Sequence, residues 1–334
     1  MPSCRDIRRS LFLGCALAWL LPVSVNAQMV QSPPTAMPPS DSAPQGQPAF
    51  DPSMAAPAPF GNAPPGGVPG ILPLQEYSPD QDGFTWQLLP DGLMYRSYLA
   101  GEREPRFGTE IVHDEHMGGL WSTTLGGRAG ILRWGNEDPL SPEGVQVDIE
   151  GAAFPLLQLN YERSLADVDF RFGVPVTMRA GPWETKVEIY HLCSHLGDQY
   201  LLDNPGVTRI NFSRDALLFG LAYHPVEDVR VYGEVGWAFY TWGETEPWEF
   251  QFGFEYSPAR PTGLQGAPFF AANAHLRQEV NFGGAATVQT GWQWRGRTGH
   301  LFRLGLEYLN GKSEQYQFSD KSEQQIGGGV WYDF

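Results

Sequence analysis

The last ten residues, Gln325-Ile326-Gly327-Gly328-Gly329-Val330-Trp331-Tyr332-Asp333-Phe334, decide how the chain is read. Ile326, Gly328, Val330, Tyr332 and Phe334 share one parity. Gln325, Gly327, Gly329 and Asp333 share the other, and Trp331 is the exception. A strand sends successive side chains to opposite faces, so this is a strand with one apolar face. In water a free apolar strand edge invites pairing with other chains. The pattern therefore argues for a setting in which that face is not in water.

A strand of this kind resembles the closing strand of bacterial outer-membrane β-barrels. The resemblance implies that Phe334, Tyr332 and Val330 form the assembly signal, and that the barrel assembly machinery is a partner. The opposite end of the chain agrees. Arg5, Arg8 and Arg9 precede an apolar run from Leu11 to Leu21, and Val25-Asn26-Ala27 offers small residues for cleavage, as in a secretory signal peptide over residues 1–27. The apolar run is shorter than the roughly 20 residues a spanning helix needs. Cys4 and Cys15 fall inside this segment, which leaves Cys193 alone and excludes an intramolecular disulfide framework. The formal charge of −16 argues against nucleic acid as a partner.

Residues 28–73 hold 13 of the 29 prolines and no Lys or Arg. Proline supplies no backbone donor, and few residues here can form a core, so a disordered linker is expected. The domain reading is then a signal peptide at 1–27, the linker at 28–73, a pre-barrel segment at 74–118 and the barrel at 119–334.

The body reads as a strand meander. Phe250, Phe252, Phe254 and Tyr256 alternate with Glu249, Gln251, Gly253 and Glu255; Phe302, Leu304, Leu306 and Tyr308 alternate with Arg303, Gly305 and Glu307. The polar rows carry charges of both signs at mid-strand, which a sandwich core would not tolerate. Apolar residues outward and polar residues inward is the pattern of a transmembrane barrel. The expected fold is all-β, a transmembrane antiparallel up-and-down barrel of about 12 strands in the outer membrane. With Phe334 at the periplasmic side, the turns at 223–228 and 295–300 are periplasmic and the connections 195–212 and 310–322 are external. Arg171, Arg230, Glu234, Glu249, Glu255, Arg295, Arg303 and Glu307 point to a salt-bridged lumen and away from an open channel.

Three further segments narrow the family. Phe84-Thr85-Trp86-Gln87-Leu88-Leu89-Pro90-Asp91-Gly92 runs into Leu93-Met94-Tyr95-Arg96-Ser97-Tyr98-Leu99-Ala100-Gly101 and Glu104-Pro105-Arg106. With Ser194-His195-Leu196-Gly197-Asp198 and the terminal strand, the chain resembles the domain-of-unknown-function 1207 family over residues 84–334. The resemblance implies an envelope barrel and no settled activity.

Chemistry is concentrated in Tyr190-His191-Leu192-Cys193-Ser194-His195. Val187 and Ile189 set the apolar parity, so His191, Cys193 and His195 continue the lipid-facing row, while Ser194 joins the lumen row. Ionisable groups on a lipid face are costly and call for a reason. His191-Leu192-Cys193 resembles the His-x-Ser spacing of outer-membrane acyl hydrolases, with a thiol in place of the hydroxyl. In this reading His191 is a general base, Cys193 the nucleophile and Asp215 the orienter of the imidazole, with Cys193 expected opposite Asp215. Outer-leaflet lipid is the expected substrate. Ser194 with His195 is a fallback pairing on opposite faces. The alternatives are a barrel without chemistry, serving as a passive pore or an envelope structure. His113-Asp114-Glu115-His116 is expected to be a solvated turn ahead of the first strand, so no metal site is assigned. No phosphate-binding glycine loop or nucleotide fingerprint occurs, and no cofactor is expected.

Overall fold

Aromatic and branched residues at every second position leave each strand with one face that water rejects and one that carries charge. In the computed structural model, which describes residues 83–334 except Glu244, these strands roll into a closed barrel. The segments read as signal peptide and linker lie outside the described residues. Twelve antiparallel strands make the wall: β2 (Phe107–Asp114), β3 (Gly118–Gly135), β4 (Gly144–Gln158), β5 (Ser164–Ala180), β6 (Trp183–Leu196), β7 (Ser213–Val226), β8 (Val229–Trp242), β9 (Trp248–Tyr256), β10 (Ala267–Arg277), β11 (Gly283–Arg295), β12 (Leu301–Lys312) and β13 (Ser322–Asp333). Each pairs with its sequence neighbour, and β13 pairs with β2 to close the ring. Closure gives each of these twelve strands a partner on both sides.

The alternation holds as the sequence predicts. Phe250, Phe252, Phe254, Phe302, Leu304, Leu306, Ile326 and Tyr332 are exposed on the outer wall, while Arg230, Glu249, Glu255, Arg303 and Glu307 are buried in the lumen. The exception, Trp331, faces inward and is fully buried. Gly329 makes room for it: a Cβ there would stand 2.6 Å from the indole. The turns after β7 and β11 lie at the end where the chain terminates. The connections 197–212 and 313–321 lie at the opposite end and cover it. A short helix, α1 (Asp198–Asp203), packs Tyr200 against Phe318, with ring centroids 5.2 Å apart.

The barrel begins earlier than residue 119. β2 was missed by periodicity because its outward row, Phe107-Thr109-Ile111-His113, is half polar and its inward row contains Val112. His113 and Asp114 end this strand, so they do not precede the first strand as expected. Asp114 caps the following turn, accepting from the backbone N–H groups of His116 at 2.9 Å and Met117 at 2.7 Å. The segment before β2 is not outside the wall either. A four-residue strand, β1 (Thr85–Leu88), pairs with β3 below the reach of β2. Between β1 and β2 the chain turns into the lumen and fills it.

This inner segment carries the lumen's packing. Tyr95, Tyr98 and Ala100 are fully buried, and Arg103, Glu104 and Arg106 nearly so. Tyr98 donates to Glu234 at 3.0 Å, and Lys186 reaches the same carboxylate at 2.7 Å. The Leu99 backbone N–H donates to Glu255 at 2.7 Å, and Arg106 pairs with Asp333 at 3.4 Å. The wall adds its own pairs: Arg171 with Glu150 at 3.1 Å and Glu188 at 3.0 Å, Arg230 with Glu184 at 3.2 Å, Arg303 with Asp333 at 2.7 Å. Charges removed from water must be paired and hydrogen-bonded to be tolerated. Two cavities between these groups measure about 20 Å³ each, enough for a water and nothing larger.

Candidate active site on the outer wall

β6 runs away from the terminal end, so His191, Cys193 and His195 lie in its distal half with their side chains outward. His191 and His195 are exposed and Cys193 is half-buried. Ser194 and Leu192, between them, are buried in the lumen. The parity argument is therefore correct at every position of this strand.

The pairing across to β7 differs from the expected one. His191, not Cys193, stands opposite Asp215, and Cys193 stands opposite Ser213. The register is set just before β7, where Phe212 turns inward onto Tyr316 with ring centroids 4.5 Å apart, and its carbonyl accepts from the Ser194 N–H at 3.1 Å. The shift of two residues keeps Asp215 on the outer face and brings it into direct contact with the imidazole. His191 Nδ1 lies 2.7 Å from Asp215 Oδ1. Cys193 is next in the same outward row, two residues along β6.

The surroundings are aromatic. Phe172 is paired with His191 and Phe170 with Cys193 on β5. Tyr240 is paired with Asp215 and Trp242 with Ser213 on β8. β8 bulges opposite the step from Asp215 to Ala216, so Phe239 and Tyr240 are both exposed. The four polar groups thus sit in an apolar frame one strand wide on each side.

A neutral imidazole held at Nδ1 by a carboxylate presents Nε2 as its proton acceptor. The contact fixes which ring nitrogen the carboxylate holds, and the thiol of Cys193 follows two residues along the same row. The fallback pairing is not formed. Ser194 faces Asp167 inside the lumen at 3.5 Å, while His195 packs edge-on to Phe170 outside, with centroids 5.9 Å apart. In the second histidine cluster, His116 lies 3.2 Å from Glu115 in an exposed turn, and His113 points outward from β2. Among the described residues no three His, Cys, Asp or Glu side chains are grouped to hold a metal ion. Ser213 went unnoticed in the sequence because only the observed register places it beside Cys193.

The residues read as the assembly signal lie together at the terminal end. Phe334 packs against Phe107 at 5.7 Å, Tyr332 at 5.3 Å and His300 at 5.8 Å between ring centroids, and its ring covers Gly127. Val330 pairs with Leu304 on one side and Thr109 on the other.

The family model "Protein of unknown function (DUF1207)" matches residues 81–334. No curated protein matches the chain. Among solved structures, the outer membrane phospholipase dimer of Salmonella typhi with bound calcium is 12% identical with a TM-score of 0.48, covering 69% of this chain and 91% of that one. Escherichia coli outer membrane phospholipase A is 13% identical with a TM-score of 0.47, covering 69% and 94%. The KdgM porin in complex with disordered oligogalacturonate is 8% identical with a TM-score of 0.40, covering 68% and 99%. These likenesses concern the outer-membrane-type barrel and nothing of its chemistry.

Proposed function

The chain belongs to the DUF1207 family of proteins of unknown function, and from that premise we propose an outer-membrane barrel that passes nothing through its lumen and hydrolyses acyl esters of outer-leaflet lipid on its wall. The observation that carries the reading is the 2.7 Å contact of His191 with Asp215 in the same outward row as Cys193. Three polar side chains on a lipid-facing wall are costly unless they serve a purpose there. The even strand number supports the same orientation for both ends of the barrel, with the terminal turns in the periplasm and the site near the outer leaflet.

The chemistry follows from the arrangement. His191 Nε2 takes the proton of the Cys193 thiol, and Asp215 stabilises the imidazolium that results. The thiolate attacks the ester carbonyl carbon; a C–S bond forms and the carbonyl electron pair moves to oxygen. Collapse of this adduct breaks the ester C–O bond, and the leaving alkoxide takes the proton from His191. Water, deprotonated by the same imidazole, then cleaves the thioester and frees the fatty acid. The filled lumen counts against a passive pore.

The test is acyl release by purified full-length protein in detergent, given phospholipid or lipid A. Wild type releases fatty acid and Cys193→Ala does not. Absence of release from both lipids, or equal release by Cys193→Ala, removes the enzymatic reading and leaves a structural barrel.

A further inference from the structure

Attack on an ester turns its carbonyl oxygen into an oxyanion, and on an apolar wall that charge needs a hydrogen-bond donor. Elsewhere such donors are often backbone N–H groups at turns. Here the reacting strand lies mid-sheet, between β5 and β7, and its N–H groups are committed to the two ladders. The donor must be a side chain.

The neighbours of Cys193 on the outer face are few. Phe170 on β5 has no proton to donate. His191 is the base and is held by Asp215. His195 lies edge-on to Phe170. Across the ladder stands Ser213. The Ser194 N–H bonds the Phe212 carbonyl directly opposite, so 194 and 212 form a hydrogen-bonded pair. Residues 193 and 213, one step along, form a non-hydrogen-bonded pair, the kind that brings Cα atoms to about 4.5 Å and side chains closest. Ser213 is half-buried beneath the row that ends at Trp242.

Resting on the acyl-hydrolase reading, we infer that Ser213 is a further catalytic residue whose hydroxyl donates to the substrate carbonyl oxygen as Cys193 attacks. The donor and the nucleophile then approach the carbonyl from adjacent strands, with the oxygen directed toward β7 and the base on the β6 side. The substrate this fits is an oxygen ester whose acyl chain lies along the apolar wall.

The experiment compares full-length wild type, Ser213→Ala, Ser213→Thr and His195→Phe in detergent, with a fatty-acyl ester as probe. Two readouts are taken: ester turnover, and the rate at which iodoacetamide alkylates Cys193. Alkylation needs the thiolate and no oxyanion donor. Ser213→Ala is expected to lower kcat about 10²-fold with little change in KM, to leave alkylation unchanged, and to be rescued in large part by Ser213→Thr. Turnover of Ser213→Ala within twofold of wild type overturns the inference while leaving Cys193 in place. So does a Ser213→Ala loss matched by slower alkylation, or a loss confined to His195→Phe. An inactive wild type overturns this inference together with the reading beneath it.

Discussion

Tyr98 of the inner segment lies face to face with Tyr232 of the wall, ring centroids 3.8 Å apart and planes 9° from parallel. The stack is one of many contacts that tie this segment to the barrel interior, and it sets the first expectation. The intact protein in a planar bilayer should show no steady conductance. Replacing residues 93–104 by a short Gly/Ser linker should open a pore, since the lumen pairs of Glu234, Glu255 and Asp333 then face water. Conductance by the unaltered chain equal to that of the variant would show that the segment does not block passage.

Arg303 ties three elements together. It pairs with Asp333 at 2.7 Å, donates to Gln289 at 2.7 Å and to the Leu99 carbonyl at 3.2 Å, and lies 4.9 Å over the Trp331 ring. Breaking a buried pair by removing one partner costs about 3–5 kcal/mol. Arg106 remains 3.4 Å from Asp333, so Arg303→Met should fall at the low end. The readout is the temperature at which the folded gel band converts to the unfolded one. Arg303→Met with Asp333→Leu should not recover the loss, because the buried Arg106, which pairs with the same carboxylate, is then left without its partner.

Acid should loosen the cover at the distal end. Glu314, in the connection from β12 to β13, is buried, which raises its carboxyl, but the charges of His275 and Arg277 outweigh burial and hold it at about 2, below the ordinary 4.5. A depressed carboxyl contributes stability that is complete above its unfolded value and is lost as pH falls toward its folded one. Protease protection of residues 313–321 should therefore hold at pH 6 and fade between about pH 4.5 and 2. In Glu314→Gln that pH dependence should be reduced.

Phe334 should be needed for assembly. Its ring closes a cluster with Phe107, Tyr332 and His300 at the seam between β13 and β2. Deleting it should leave the chain unassembled and sensitive to protease. Normal heat-modifiable migration of the deletion variant would remove the role assigned to this residue.

The barrel was legible in the sequence because membrane and lumen impose opposite demands on alternate residues. Phe250, Phe252 and Phe254 against Glu249 and Gln251 leave one reading. The inner segment was not legible. Leu93, Met94, Tyr95, Tyr98 and Leu99 pack in a polar lumen as an irregular chain, and irregular backbone has no period to detect. In β10 two adjacent aromatics take opposite faces: Phe269 faces the lumen beside Arg303 while Phe270 faces out. At the candidate site, parity placed His191, Cys193 and Asp215 on one face, but the partner of each depended on Phe212. A residue outside the strand pattern, drawn inward by Tyr316, set a register that alternation alone could not supply.

β1 gives the chain a mechanical order. The inner segment is held in the wall on one side by β2, which pairs along eight residues with β3 and with β13, and on the other by β1, which pairs along four with β3. Tension applied to the chain before Thr85 is borne first by that short ladder, opened one pair at a time from its Thr85 end. The lumen contents feel no load until Leu88 has parted from Leu132 and the Leu89 N–H from the Ile131 carbonyl, 3.0 Å away. The four pairs thus act as a latch, weaker than the barrel it closes and placed upstream of everything the barrel holds.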